Sequence, residues 1–161
     1  MPEELTHFDQ EGKAVMVDVS EKPLTVREAV AGGKVQMKPE TLQQILEQRT
    51  KKGDVFAVAR LAGIMAAKQT SALIPLCHPL PLSAIEIDFD SDPQHGEVTI
   101  SATAKVTGQT GIEMEALTAV SITALTIYDM CKAIDRGMVI KEICLLKKTG
   151  GKSGSFTRVL S

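Results

Sequence analysis

Apolar and polar positions alternate along two neighbouring stretches of the chain. Residues 83–90 alternate apolar with acidic side chains, and residues 97–106 repeat the alternation after a turn at 91–96. This period of two predicts a pair of half-buried antiparallel strands. Residues 26–37 predict a further extended segment, which Gly32 and Gly33 interrupt with a bulge or turn. Residues 16–19 also look extended, and residues 138–146 predict the last strand.

Helical spacing separates these strands. Residues 39–48 open on a proline and predict a short helix, and an Ala-rich helix follows to about Gln69, capped by Gly53-Asp54. A longer apolar segment begins with Thr110-Gly111-Ile112-Glu113. This spacing is that of a capping box, with Thr110 as the N-cap and Glu113 reaching back to it. The helix is expected to run to about Arg136, where Gly137 stops it.

The order of these elements predicts an α+β fold, with helices on one face of a mainly antiparallel sheet. The 161 residues suit a single domain, 1–161. Residues 1–14 are polar and are expected to be a mobile arm, and 147–161 a Lys/Gly/Ser loop and tail. Three prolines within 74–81 forbid a helix there and stiffen that segment.

Composition narrows the class of protein. A net charge of −2 and a single tyrosine argue against a nucleic-acid surface. No apolar run reaches membrane-spanning length, and the start of the chain is acidic where a secretory leader would be basic. The three widely spaced cysteines argue for reduced thiols in a cytoplasmic protein.

Asp129 and Lys132 are the leading catalytic candidates. They lie three residues apart near the end of the long helical segment, so both side chains lie on the same side of the helix. A carboxylate and an amine beside an apolar surface can exchange protons with a ligand. The competing interpretation is a solvated ion pair in the last turn of a helix.

Cys77 and His78 lie between prolines on the stiff segment. Adjacent residues rarely bind one metal, and there is no second Cys/His pair at ligand spacing, so we predict no metal site. His78 suits a hydrogen bond to a ligand or a titrating role, with a packed loop residue as the alternative.

Two basic stretches could bind phosphate. Gly151-Lys152-Ser153 fails the Walker pattern, because the glycine required five residues earlier is Leu146. The glycines near Lys148 can still wrap a phosphate through backbone N–H groups, with a flexible tail as the alternative. Lys51 and Lys52 could join Arg27 and Lys148 in a polyphosphate pocket if the fold brings them together.

Glu113 and Glu115 follow the anion-friendly start of the long helix and would oppose a bare phosphate there. A carboxylate suits the amino and ring N–H edge of a purine-like base, with plain helix capping as the alternative. Glu115 and Asp129 are 14 residues apart on one helix, which is about 21 Å. If both serve one small ligand, a neighbouring subunit supplies one of them, which predicts an oligomer with interfacial sites.

Taken together, several stretches resemble the family of cyclic pyranopterin monophosphate synthases, the molybdenum-cofactor biosynthesis protein C. The resemblance covers the chain from about Leu5 to Phe156. The stretches that carry it are Met16-Val17-Asp18-Val19, Lys52-Gly53-Asp54-Val55, Leu76-Cys77-His78-Pro79-Leu80, Thr110-Gly111-Ile112-Glu113-Met114-Glu115-Ala116-Leu117, Leu125-Thr126-Ile127-Tyr128-Asp129-Met130-Cys131-Lys132 and Gly150-Gly151-Lys152-Ser153-Gly154.

The resemblance implies a lyase of molybdenum-cofactor synthesis. Its substrate would be 3′,8-cyclo-7,8-dihydro-GTP, and its products cyclic pyranopterin monophosphate and diphosphate. It implies a ferredoxin-like fold and a homohexamer, a trimer of dimers, with sites between subunits. No cofactor is implied, although Mg²⁺ could accompany the triphosphate.

The resemblance also assigns roles to residues of this chain. Asp129 and Lys132 match the catalytic pair, and the other positions match substrate-binding residues. These are Leu76, Cys77, His78, Met114, Glu115, Lys52, Lys148 and Arg27; Glu113, in the same stretch as Met114 and Glu115, is a further substrate-binding candidate because its carboxylate suits the guanine-derived edge.

Two other functions remain open at this point. One is a non-catalytic oligomeric nucleotide-binding module, in which Asp129 and Lys132 form a structural pair. The other is an unrelated small-molecule enzyme on the same scaffold, since fold alone does not assign chemistry.

Overall fold

A computed structural model describes residues 5–50 and 52–159. These residues form a five-stranded sheet and four helices. The elements are, in chain order, β1 (Thr25–Gln36), α1 (Pro39–Leu46), α2 (Val55–Lys68), α3 (Thr70–Leu73), β2 (Ala84–Asp92), β3 (Glu97–Gly108), α4 (Glu113–Cys131), β4 (Val139–Thr149) and β5 (Phe156–Thr157).

The sheet has the order β2-β3-β1-β4-β5, and all neighbouring strands are antiparallel. The first four strands and the helices between them follow a β-α-β-β-α-β succession, which is the ferredoxin-like topology. The prediction of an α+β, ferredoxin-like fold is therefore confirmed. Among the described helices, none is both long and apolar enough to cross a membrane.

The core lies between the sheet and the two longer helices. Every second residue of β3 is buried on the helix side, from Val98 to Val106, and β1 contributes Ala29, Ala31 and Val35 opposite them. Helix α4 packs on β1, β3 and β4, and α2 packs on α4 and β2. The period-two pattern thus predicts the strands correctly because one face of the sheet is buried.

Small residues let the layers approach closely. A Cβ added at Gly63 in α2 would collide with the Thr123 hydroxyl of α4 and with the Ile87 side chain. At Gly32 and Gly33 an added Cβ would come within 2.7 Å of Leu146 and Val120 side-chain atoms. The pairing of β1 with β4 also shifts register at these glycines, which confirms the expected bulge.

Helix α4 ends at Cys131 rather than near Arg136, so the predicted end is wrong. The buried carboxylate of Asp135 accepts hydrogen bonds from Lys38 N, Thr41 Oγ1 and Gly137 N at 2.9–3.2 Å. These bonds hold the chain after α4 against the start of α1, and a continuing helix could not make them.

The remaining differences lie near the termini. Residues 147–149 belong to β4, and β5 pairs with them, so the predicted loop begins only at Gly150. Residues 16–19, which looked extended in the sequence, belong to no strand of the sheet and lie in the irregular segment before β1. The expected mobility of residues 1–14 stays a prediction. From Leu5 onward that segment contains a Phe8–Ala14 bridge, and residues 1–4 lie outside the described residues.

We predict that Gly63→Ala destabilises the protein by about 1–3 kcal/mol, because the methyl group forces α2 away from α4. Helix propensity alone would predict a gain of about 1 kcal/mol. Urea denaturation measures the change in the free energy of unfolding. The control is Lys68→Ala on the exposed part of α2, expected within about 0.5 kcal/mol of wild type. A stabilised Gly63→Ala variant would contradict the close packing.

Candidate active site

A cationic cavity of about 300 Å³ opens beside the N-terminal end of α4. Arg27 of β1 and Lys148 of β4 line it together with Lys22 from the irregular segment before β1. Arg27 is held in place because its Nε and Nη2 donate hydrogen bonds to the carbonyl oxygens of Gly108 and Gln109, at 3.2 and 3.4 Å. Three positive side chains in one small cavity form a site for an anionic group.

The loop after β4 covers the Arg27 side of this cavity. Gly150 and Gly151 have φ values of 90° and 82°, the left-handed region that favours glycine. A Cβ on Gly151 would collide with the Arg27 guanidinium, and one on Gly150 with the Val26 carbonyl. The two glycines therefore let the loop lie directly on β1. An adjoining cavity of about 190 Å³ lies there, and its walls include Lys152.

The start of α4 differs from the predicted capping box. The N-cap is Ile112, and no side chain among the described residues caps the helix. Glu113 does not reach back to Thr110; its Oε1 instead forms an ion pair with Lys148 Nζ at 2.5 Å, with both side chains about a quarter exposed. The capping-box prediction is wrong because a cation from β4 competes for the carboxylate. The uncapped N–H groups are left for a ligand or water.

A second, smaller cavity of about 140 Å³ adjoins the first. Its walls come from the proline-rich segment and from α4, and they are mainly apolar with one carboxylate: Leu76, Cys77, His78, Leu80, Met114 and Glu115. Among the residues that the structure describes, His7, His78, Thr110 and Gly111 line both cavities. The two cavities thus meet in front of α4, where a ligand with an anionic end and a flat heterocycle would fit.

Glu115 is the most perturbed acid of this region. It is 4% exposed, and its Oε2 has no hydrogen-bond partner among the described residues. Burial, with the negative charge of Glu113 adding to it, raises the pKa of Glu115 to about 7. A carboxyl group with this pKa can serve as a hydrogen-bond donor or as an acceptor near neutral pH. Glu113 lines the cationic cavity and is paired with Lys148, whereas Glu115 lines the smaller cavity and is buried.

His78 is fastened to the chain before β1. Its Nε2 lies 2.6 Å from the Val17 carbonyl oxygen. A carbonyl can only accept, so Nε2 carries the proton and donates it, which leaves Nδ1 for a ligand. Burial, followed by the charge of Glu115, raises the pKa of the neighbouring Cys77 thiol, so that thiol is protonated at neutral pH. Within the described residues no group of three or more His, Cys, Asp or Glu side chains could hold a metal ion.

Asp129 and Lys132 lie at the opposite end of α4. Lys132 Nζ is 3.0 Å from Asp129 Oδ1, and Lys52 Nζ is 3.9 Å from Oδ2 while donating to the Asp129 carbonyl at 3.2 Å. The hydrogen bond and charge of Lys132, with the charge of Lys52, hold the pKa of Asp129 below its usual value. All three side chains are more than half exposed in the single chain. Within the single chain, as far as residues 5–50 and 52–159 describe it, Asp129 and Lys132 therefore lie at the surface and are not buried against an apolar wall.

The candidate residues accordingly form two groups. One group, at the start of α4, is Arg27, Leu76, Cys77, His78, Glu113, Met114, Glu115 and Lys148. The other group, at its end, is Lys52, Asp129 and Lys132. The proposed pocket uniting Lys52 with Arg27 and Lys148 does not form within one chain, and Lys51 lies outside the described residues.

Sequence reasoning missed four residues that line the cationic cavity: Thr6, His7, Lys22 and Gln109. Thr6, His7 and Lys22 lie in the irregular segment before β1, where no periodicity indicates what a residue faces. Gln109 directly precedes Thr110, and its side chain donates to the Lys22 carbonyl at 2.9 Å. The only available signal was their position beside stretches already noted, Met16–Val19 and Thr110–Glu113.

Comparison with known proteins identifies the family. A model of the MoaC family matches residues 16–151, which is most of the chain. The chain belongs to the MoaC family. The matched residues run from the segment before β1, through both groups of candidate residues, to Gly151.

Curated relatives of this family match nearly the whole chain. A protein of Rhodospirillum rubrum is 60% identical over 153 residues, covering 95% of this chain and 92% of the relative. A protein of Thermoanaerobacter pseudethanolicus is 61% identical, covering 96% and 98%. One of Desulfitobacterium hafniense is also 61% identical, covering 96% and 94%. All three are named cyclic pyranopterin monophosphate synthase.

We predict that Glu115→Gln becomes more stable than wild type as the pH rises. A raised pKa means that the folded state favours the protonated acid, so its stabilising contribution is present below about pH 4.5 and is lost as the pH rises through about 7. Between pH 5 and 8 the stability difference should shift by roughly 2–3 kcal/mol in favour of Glu115→Gln. Urea denaturation at both pH values measures it. The control is Glu86→Gln in β2, an exposed acid, which should show no such shift. Parallel curves for wild type and Glu115→Gln would contradict the raised pKa.

Proposed function

We propose that this chain is a cyclic pyranopterin monophosphate synthase, a lyase that converts 3′,8-cyclo-7,8-dihydro-GTP to cyclic pyranopterin monophosphate and diphosphate. The observation that carries the proposal is the meeting of the cationic cavity with the carboxylate-bearing apolar cavity in front of α4. A substrate with a triphosphate at one end and a guanine-derived ring at the other needs both. The names of relatives about 60% identical over nearly the full chain support the same activity.

The cationic cavity suits the triphosphate. Arg27, Lys148 and Lys22 would offset the phosphate charge and stabilise the diphosphate as it leaves. Lys148 is paired with Glu113 at 2.5 Å, so phosphate would compete with Glu113 for this lysine. The N–H groups at the uncapped start of α4 add further donors. Any Mg²⁺ would arrive with the triphosphate, and no resident cofactor is proposed.

The second cavity suits the heterocycle. Leu76, Cys77 and Met114 offer an apolar surface to a flat ring. Glu115 would bind the amino and ring N–H groups when ionised, and it can deliver a proton to a ring nitrogen when neutral. His78 lines both cavities, so its Nδ1 would add a polar contact between the ring and the phosphates.

Asp129 and Lys132 would perform the proton transfers that break and rebuild the rings. The charge of Lys132 keeps Asp129 ionised, so the carboxylate can accept a proton, while the ammonium group of Lys132 can supply one. Lys52 contacts the same carboxylate and adds positive charge on the same side. The three residues would act together on the sugar-derived part of the substrate.

Both groups of residues can serve one substrate only across two chains. Glu115 and Asp129 are about 21 Å apart along α4, farther than a small ligand readily spans. We propose a homo-oligomer, a hexamer built as a trimer of dimers, in which a second copy brings its Asp129 to the cavities of the first. Exposed apolar side chains on the outer surface of α2 and α4 support such a contact: Val58, Leu61, Met65 and Leu125.

The cellular setting follows from composition. We propose a cytoplasmic protein, because its three cysteines are free thiols, as suits a reducing compartment. Neither nucleic acid nor a membrane is a proposed partner. The net charge of −2 gives no general attraction to polyanions.

One observation favours a different function, a nucleotide-binding module without catalysis. Asp129 and Lys132 are 61% and 52% exposed at the side chain, as in an ordinary surface ion pair. Such a module would be stabilised against heat by GTP but would not turn over the cyclised substrate. Incubation with 3′,8-cyclo-7,8-dihydro-GTP, followed by mass spectrometry for diphosphate and the pyranopterin product, separates the two. Binding without product would refute the lyase.

We predict that Asp129→Asn abolishes product formation while the oligomer stays intact. The amide keeps the size of the carboxylate but cannot accept the proton. Activity is measured by product mass spectrometry and assembly by sedimentation. The control is Asp88→Asn, an exposed carboxylate on β2 outside both groups, which should retain full activity. A fully active Asp129→Asn would remove Asp129 from the mechanism.

We predict that two inactive variants restore activity when they are unfolded and refolded together. Asp129→Asn removes the carboxylate at the end of α4, and Glu115→Ala removes the carboxylate at its start. If each site takes one end from each of two chains, random pairing regenerates one intact site in half of the dimers, or about one quarter of wild-type activity. The mixture is assayed against each variant refolded alone. No recovery, with mixed oligomers seen by native mass spectrometry, would contradict a shared site.

A further inference from the structure

The N-terminal arm, residues 5–24, lies against both cavities before the chain enters β1. Two polar side chains beside the cavities hold it there. His78 Nε2 donates to the Val17 carbonyl at 2.6 Å, and Gln109 Nε2 donates to the Lys22 carbonyl at 2.9 Å. The arm is thereby tied to the proline-rich segment and to the loop before α4. The position of the arm therefore depends on His78 and Gln109, which also line the cationic cavity.

The tip of the arm is shaped by its own hydrogen bonds. Asp9 Oδ1 accepts from the N–H groups of Glu11 and Lys13, both at 2.9 Å. Val15 N donates to the His7 carbonyl at 2.8 Å, and Phe8 pairs with Ala14 in an antiparallel bridge. These bonds fix the backbone of residue 7 without help from the rest of the domain. The side chain of His7 is thus presented from a preformed turn.

His7 lies where the two cavities meet. It is one of four residues that line both, together with His78, Thr110 and Gly111. His78 spends its Nε2–H on Val17, whereas no described residue bonds to the ring nitrogens of His7. His7 therefore offers an imidazole donor to a ligand at this junction. The turn fixes the backbone of His7, and its side chain lines both cavities. His7 is therefore placed to contact a ligand and not water alone.

We propose that His7 is a substrate-contacting residue: the arm carries its imidazole to the junction, where it donates a hydrogen bond to the phosphate nearest the sugar. The inference rests on the proposed function, since it takes the cationic cavity as the triphosphate site. With the phosphates beside Arg27 and Lys148 and the ring beside Glu115, the sugar and first phosphate lie at the junction. The arm is then a wall of the active site rather than a tail.

The test compares binding of GTP and of guanosine by isothermal titration calorimetry in the full-length protein. His7→Ala should weaken GTP binding about tenfold, because a hydrogen bond to a charged group is lost. Guanosine, which lacks phosphate, should bind both proteins equally. His7→Asn keeps a donor and should recover part of the loss. The control is Lys13→Ala, which removes a cation of the arm that pairs only with Glu11 among the described residues and lines neither cavity; its GTP affinity should stay within about twofold of wild type.

Three results would overturn the inference. They are unchanged GTP binding in His7→Ala, equal weakening of GTP and guanosine binding, or a loss in Lys13→Ala that matches the loss in His7→Ala. Turnover of the cyclised substrate by wild type is measured on the same preparation. Absent turnover would refute the proposed lyase, while the difference between GTP and guanosine would still decide the role of His7.

Discussion

The length of helix α4 is the constraint on which the rest of the site depends. Its 19 residues span about 28 Å and pack on β1, β3 and β4, so its two ends keep a fixed separation. The anion-binding cavity and Glu115 lie at one end, and Asp129 with Lys132 at the other. Within one chain, Asp129 and Lys132 therefore stay far from the cavity that holds Glu115. The proposed shared site requires a second copy of the chain for this reason.

The start of α4 brings positively charged side chains and carboxylates close together. Lys148 and Arg27 come from the neighbouring strands β4 and β1, and Glu113 offsets the charge of Lys148. Glu115, two residues further along, is buried, and its Oε2 has no hydrogen-bond partner among the described residues. Burial raises the pKa of this carboxyl group to about 7. The same short stretch thus supplies Glu113, which is paired with a cation, and Glu115, whose pKa is raised to about 7.

Sequence patterns predicted the elements that local physics decides. The alternation in β2 and β3 and the Asp54 cap, which accepts from Ala57 N at 3.1 Å, follow from the face a residue presents and from short-range hydrogen bonds. The two wrong boundaries of α4 have distant causes. Lys148 draws Glu113 away from Thr110, and Asp135 binds Lys38 and Thr41 rather than continuing the helix. No local pattern reveals partners 35 or 97 positions away.

The candidate site was predictable to a similar degree. Motif resemblance and residue chemistry singled out eleven residues, and the fold places each of them in one of the two groups at the ends of α4. His7 and Lys22 were missed because they reach the cavity on an irregular arm with no periodicity to interpret, and Gln109 because it lies in the short loop before α4. The division into two groups was foreseen from helix length alone, since 14 residues of rise exceed the reach of a small ligand.

The most direct test is a crystal structure of the oligomer with GTP bound, in which the distance from the nucleotide to each Asp129 carboxylate is measured. The account predicts phosphates beside Arg27 and Lys148, the guanine against Glu115, and the sugar approached by Asp129 and Lys132 of a second copy. A nucleotide contacted by one chain alone, with every Asp129 facing water, would contradict it.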